Sequence, residues 1–96
     1  MEKARVVIIR SERALAANGL PDPGSMLRMF RKGLEILTGS NQAEEALRQL
    51  FQPAENIGIK INTIGRRAIS TYPEMAVTLG LWLGKTLGHE DKIIIW

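Results

Sequence analysis

The sequence contains no cysteine and a single histidine, His89. Without thiols the chain can form no disulfide, no thiolate metal site and no cysteine-ligated iron–sulfur cluster. Long apolar runs are also missing, since no segment approaches the roughly 18 apolar residues that a membrane helix needs. The N-terminus lacks the apolar core of a signal peptide. We therefore expect no metal, no cofactor, no membrane partner and, for the sequence as given, a soluble cytoplasmic chain.

Positive and negative charges are nearly balanced in this chain. Thirteen lysines and arginines stand against ten acidic residues, for a net charge of +3. Such a balance predicts weak attraction of anions and does not require a nucleic-acid partner. With 45% hydrophobic residues in 96 positions, the composition is typical of one globular domain.

Three segments have the composition of β-strands. Residues 4–10 carry four consecutive β-branched residues, which indicates a strand covered on both faces. In residues 57–63 the odd positions 57, 59 and 61 are isoleucines, whereas Gly58, Lys60 and Asn62 alternate with them. Strict alternation predicts one buried and one polar face. Residues 92–96 are again apolar at consecutive positions.

The segments between the strands predict three helices. The first helix is expected to begin with Asp22 or Ser25 as its N-cap and to end at Gly39. Asn41 and Glu44 have the spacing of a capping pair for a second helix, which is expected to run to about residue 51.

A third helix is predicted from Thr71 to Gly88. Thr71 would be its N-cap and Glu74 would complete a capping box. Gly80 and Gly84 lie one turn apart, so they remove side-chain bulk from one stripe and favour close packing of this helix.

The order β-α-α-β-α-β predicts an α/β fold, a small, mainly parallel three-stranded sheet with helices packed on it. Residues 1–96 would form a single domain. The last strand ends the chain at Trp96, and an uncovered apolar edge strand is prone to association. We therefore expect residues 92–96 to be covered by further sequence of a longer protein, of which this would be the N-terminal part, or by a second copy.

No motif of a known catalytic site is complete. The segment "GLWLGKT" (80–86) is one residue short of a phosphate-binding P-loop and lies within a predicted helix. No nucleophile has a recognisable base, so no catalytic residue is identified and activity of this chain alone is not expected.

The segment after the second strand has the features of an anion site. Ligands in parallel α/β sheets bind beyond the carboxyl ends of strands, and helix N-termini attract anions. Arginine pairs suit carboxylate or phosphate. The alternative is that the helix is merely capped and the arginines are solvated. The candidate anion-binding residues are Lys60, Asn62, Arg66, Arg67, Thr71 and Tyr72.

Two other functions are compatible with the sequence. The chain is a candidate for a structural or interaction module that self-associates through its apolar C-terminal strand. Weak nucleic-acid binding through Arg28, Arg31, Lys32 and the loop arginines is a further alternative, although no aromatic stacking surface accompanies these charges.

The motifs "GIKIN" (58–62) and "STYPEM" (70–75), with "ARVVIIRSERAL" and "KIIIW", together resemble the family called domain of unknown function 362. Its members read G-I-K-V-N, a variable loop and T-H-P-E. The resemblance implies a longer α/β protein without a settled activity, and many members resemble exported proteins. Lys60, Asn62, Thr71 and Pro73 match the pattern. Tyr72 replaces the family's histidine, and the cysteine motifs of some members are absent.

Overall fold

A computed structural model of the chain describes residues 4–52, 55–62, 72–88 and 90–96. Within these residues three α-helices and two short strands are present. In chain order they are α1 (Pro23–Thr38), α2 (Ala43–Leu50), β1 (Ile57–Ile59), α3 (Pro73–Leu87) and β2 (Ile93–Ile95). A short 3-10 helix, Glu90–Lys92, leads into β2.

Helix α1 begins and ends at the predicted residues. The Asp22 carboxylate accepts a hydrogen bond from Ser25 N at 3.0 Å, and this bond lowers the pKa of Asp22. Pro23 occupies the first turn, where a missing N–H costs nothing. Gly39 closes the helix in the left-handed region, with φ of 76°. The predicted N-cap and C-terminal glycine are confirmed.

Helices α2 and α3 begin differently from the predictions. Gln42 is the N-cap of α2, so the predicted Asn41 cap is wrong. Ser40 Oγ accepts from Gln42 N at 3.3 Å, and this local turn delays the helix start. Tyr72 is the N-cap of α3 and provides no side-chain cap, so the predicted capping box of Thr71 and Glu74 is also wrong.

Strands β1 and β2 pair in parallel, with Ile57, Gly58 and Ile59 opposite Ile93, Ile94 and Ile95. The pairing continues beyond the strands, because Trp96 N donates to Ile59 O at 3.0 Å and Ile61 N donates to Trp96 O at 2.7 Å. The predicted alternation of β1 is confirmed: Ile57 is buried and Ile59 and Ile61 are half-buried, whereas the residues between them are exposed.

The predicted three-stranded sheet is wrong. The described part of the chain contains one sheet with only two strands, so the fold is a small mixed α/β domain. Residues 4–10 form no strand and instead contact α1. Arg5 Nη1 donates to Leu37 O at 3.4 Å, and Ile9 Cγ1 would lie 3.5 Å from a Cβ built on Gly33. The apolar run is thus partly covered by a helix rather than by neighbouring strands.

The core lies between the helices and one face of the sheet. Its buried cluster joins Ala43 and Leu47 of α2, Ile57 of β1, and Trp82 and Leu83 of α3, and half-buried residues of α1 pack against it. Helix α3 approaches the sheet closely at Gly80. A Cβ there would lie 3.3 Å from Ile93 Cγ2 and 3.5 Å from Ile59 Cδ1.

Arg31 connects all three helices. Its guanidinium forms a salt bridge with Glu44 of α2, and its Cζ lies 6.0 Å from the ring centroid of Trp82 in α3. The hydrogen bond from Arg31 lowers the pKa of Glu44. A cation over a buried indole is a stabilising arrangement.

We expect Arg31→Ala to lower the free energy of unfolding by about 1–2 kcal/mol, because it removes both the salt bridge and the cation–π contact. Urea unfolding followed by circular dichroism measures the change. Arg48→Ala is the control, since Arg48 forms only an exposed 3.9 Å pair with Glu45, and about 0.5 kcal/mol or less is expected there. Equal losses in both variants would contradict a special role for Arg31.

Candidate functional site

The structure describes three of the six predicted anion-binding residues. Lys60, Asn62 and Tyr72 are all exposed. Arg66, Arg67 and Thr71 lie outside the described residues. Anion binding therefore stays a prediction.

Lys60 and Tyr72 lie at the two ends of the connection from β1 to α3. Lys60 Nζ donates to the carbonyl of its neighbour Ile61 at 3.4 Å. The Tyr72 carbonyl accepts from Met75 N at 3.1 Å and from Ala76 N at 3.4 Å, which closes the first turn of α3.

The region around β2 is a more complete candidate surface than the start of α3. The side chains of Ile93 and Ile95 lie against Gly80 of α3 and so belong to the face of the sheet that α3 covers. Because side chains alternate along a strand, Ile94 and Trp96 belong to the opposite face. Ile94 and Trp96 are each 58% exposed. Parallel sheets are normally covered on both faces. This sheet is covered by its helices on one face, and its other face presents apolar side chains.

Trp96 lies directly on Gly58. A Cβ built on Gly58 would come within 2.5 Å of Trp96 Cζ3 and 2.9 Å of Cη2. The indole therefore occupies the space that any other residue at position 58 would fill. Gly58 thus leaves room for the Trp96 indole to lie on the open face of the sheet.

The outer edge of β2 has no strand beside it in the described part of the chain. Trp96 uses its amide and carbonyl to bond β1. Because successive residues of a strand direct these groups to opposite edges, Ile95 directs its own amide and carbonyl away from β1. An edge of this kind is a template for pairing with another extended segment.

A groove of about 490 Å³ runs between α3 and β2. Its walls are mainly aliphatic, and Leu81 at the rim is 69% exposed. We call this groove, together with the outer edge and open face of β2, the β2 surface. The residues that line the groove are Val77, Gly80, Leu81, Lys85, Ile93 and Ile95.

Sequence reasoning did not single out the groove, although a signal was present. Val77, Leu81 and Lys85 recur at four-residue steps on α3, beside the stripe that is buried in the core. Helix α3 is therefore apolar over nearly its whole circumference, a pattern typical of helices that are covered on more than one side.

The described residues provide little support for metal or nucleic-acid binding. In these ranges no group of three or more His, Cys, Asp or Glu side chains could hold a metal ion. Of the basic residues proposed for nucleic acid, Arg31 contacts Glu44 and Trp82 and Arg28 donates to Ser25 Oγ at 3.0 Å. None of the described helices is long and apolar enough to cross a membrane.

Comparison of the chain with protein-family models, curated proteins and solved structures finds no match. The resemblance to domain of unknown function 362 therefore stays an expectation based on short motifs.

We expect Gly58→Ala to displace the Trp96 indole, because the new methyl group would overlap the ring. In a ¹H–¹⁵N spectrum the indole peak of Trp96 should shift while that of the buried Trp82 stays in place. Gly24→Ala is the matched control, since its Cβ would meet only ordinary contacts at 3.6 Å or more. An unchanged Trp96 peak in Gly58→Ala would contradict the packing described.

Proposed function

We propose that this chain is an interaction module that self-associates through the β2 surface. The observation that carries the proposal is the outer edge of β2, which no strand of the described residues pairs with, beside an apolar groove. Strand edges and apolar grooves are the two elements that proteins combine to bind extended segments.

Chemistry favours a second copy as the partner. The β2 surface is aliphatic and aromatic, and among the described residues that line the groove only Lys85 is charged. A surface with so little charge does not select a nucleic acid or a strongly acidic protein. Identical apolar surfaces can cover one another in a symmetric dimer.

We expect the chain to sediment with about twice its monomer mass at micromolar concentration. Leu81→Lys should weaken the dimer at least tenfold, because it places a charge in the groove. Leu50→Lys is the control, since Leu50 is also an exposed leucine (51%, against 69% for Leu81) and lies at the end of α2, outside the β2 surface. Circular dichroism verifies that both variants fold. A wild-type chain that stays monomeric at about 100 μM would contradict the proposal, because a dimer with a higher dissociation constant would be weaker than a specific interface.

Anion binding at the end of β1 is a second candidate, and one observation favours it. The N-cap residue Tyr72 offers no side-chain acceptor to the first turn of α3. Pro73 has no N–H, and Met75 N and Ala76 N already donate to the Tyr72 carbonyl, so the amide of Glu74 is the group of that turn that a bound anion can satisfy.

Titration with phosphate, sulfate and acetate tests the anion hypothesis by amide chemical shifts. We expect the amide of Glu74 to shift at millimolar phosphate, and Lys60→Gln to reduce the response. Lys85→Gln is the control, because Lys85 lies at the other end of α3. The absence of any shift in residues 62–75 would exclude this site.

A further inference from the structure

The connection that precedes α1 contains a tight turn with an Asn-Gly pair at its tip. Leu15 and Pro21 form an isolated antiparallel bridge. Between them Ala16 N donates to Leu20 O at 2.8 Å, and Gly19 N donates to Ala16 O at 2.9 Å. Gly19 has a φ of 80°, in the left-handed region that glycine adopts without strain. The turn therefore depends on glycine at this position.

The side chain of Asn18 folds back onto this turn. Its Oδ1 accepts a hydrogen bond from Leu20 N at 3.0 Å, an arrangement that asparagine favours in turns. Asn18 and Gly19 are both exposed. Apart from its chain neighbours, no atom lies within 4 Å of a Cβ built on Gly19. Water therefore reaches both residues, and no side chain shields the peptide bond between them.

We propose that Asn18 is a site of spontaneous deamidation and that opening of the turn limits the rate. Asparagine is among the thermolabile residues of proteins. The backbone nitrogen of Gly19 attacks Cγ of Asn18, which forms an N–Cγ bond and closes a five-membered imide. The bond from Cγ to the side-chain nitrogen breaks, and that nitrogen leaves as ammonia with the proton that Gly19 N loses. Water then opens the imide at either carbonyl and produces aspartate or isoaspartate.

The residue that follows Asn18 selects it over the other asparagines. The attacking nitrogen belongs to that following residue, so a bulky side chain there obstructs its approach to Cγ. Of the four asparagines in the chain, only Asn18 precedes a glycine. Asn56 is also exposed, but it precedes Ile57, whose Cβ carries two heavy atoms. We therefore expect deamidation at Asn18 and not at Asn56.

The native turn restrains both reacting groups. The N–H of Gly19 donates to Ala16 O, so it must break this bond before the nitrogen can lose its proton and attack. The hydrogen bond from Leu20 N also fixes the Asn18 amide. An exposed connection of this kind belongs to the parts of a fold that open locally. Because one net hydrogen bond changes an equilibrium by roughly fivefold, the native chain should react more slowly than the unfolded chain by at least that factor.

Isoaspartate at this position would change the start of α1. It lengthens the main chain by one methylene, so the hydrogen bonds that Ala16 forms with Gly19 and Leu20 lose their register. The next backbone bond joins Asp22 N to Ala14 O at 2.9 Å, and Asp22 is the N-cap of α1. Deamidation therefore loosens the segment that leads into the helix and adds one negative charge.

Peptide mapping of the full chain tests the inference. One sample is incubated folded at mildly alkaline pH, another is incubated in concentrated guanidinium chloride, and both are digested with trypsin. Cleavage after Arg13 and Arg28 releases residues 14–28, in which Asn18 is the only side chain with an amide. The mass of this peptide should rise by the difference between an amide and a carboxyl group, and aspartate and isoaspartate products should separate on chromatography. The peptide that contains Asn56 is the internal control, and an unincubated sample gives the baseline.

Gly19→Ala tests the attacking group independently of folding when both chains are compared in guanidinium chloride. The added methyl group obstructs the nitrogen of residue 19, so the variant should react severalfold more slowly than wild type. Direct hydrolysis of the Asn18 amide by water would be insensitive to residue 19. Equal rates in the two unfolded chains would therefore overturn the proposed reaction.

Three further results would contradict the inference. They are the absence of product at Asn18 in the native chain after prolonged incubation, equal rates in the native and unfolded chains, and equal reaction at Asn56. Asn18→Asp is the control for the product, because it adds the same charge without lengthening the main chain. The amide of Asp22 should shift more in the isoaspartate form than in this variant. None of these measurements depends on self-association, so the proposed function is tested separately.

Discussion

The close approach of α3 to the two-stranded sheet at Gly80 is the constraint on which the remaining structure depends. Without a side chain at that position, the helix axis can come near Ile59 and Ile93, which bring β1 and β2 under the helix. The same contact directs Trp82 and Leu83 into the core beside Leu47 of α2. A closely packed protein interior tolerates little added volume, so a larger residue at position 80 would disturb the packing of α3 on the sheet.

One consequence is that the domain is covered unequally. Helices α2 and α3 contribute the buried residues that pack with Ile57 on one face of the sheet, and the other face carries Ile94 and Trp96 with Gly58 beneath the indole. A two-stranded parallel sheet is too small to be stable by its own ladder and depends on what packs against it. In the described part of the chain this arrangement leaves an apolar groove between α3 and β2 and an outer edge of β2 with no strand beside it.

Local signals in the sequence predicted several elements well. Asp22, which was one of the two predicted N-caps of α1, its C-terminal Gly39 and the alternation along β1 were recognisable, because each depends on neighbouring residues or on a short periodic pattern. The parallel direction of the strands was recognisable from the order of helices and strands. The starts of α2 and α3 were wrong by one residue. The three-residue spacing of a capping box also occurs by chance near helix starts. Which of two neighbouring residues becomes the N-cap is then decided by local geometry, such as the side-chain turn at Ser40 or the backbone around Tyr72.

The first predicted strand shows a different kind of error. Residues 4–10 have the apolar, β-branched composition of a buried strand, but composition cannot specify a hydrogen-bonding neighbour. In the folded chain Ile9 lies on Gly33 of α1, so a helix provides the cover that was expected from a sheet. Three members of the predicted anion site, Arg66, Arg67 and Thr71, lie outside the described residues, so that site stays a prediction.

The sequence by itself determined that α1 ends at Gly39 and α3 at Gly88, which face of β1 is buried, and that residues 93–96 are apolar at consecutive positions. Those properties follow from residue chemistry at short range. Only the tertiary structure decided how many strands pair in the described part of the chain, which side of α3 is left uncovered, and that an apolar groove forms between α3 and β2. These features depend on contacts between residues far apart in the sequence, and such contacts are selected by packing rather than by local preference.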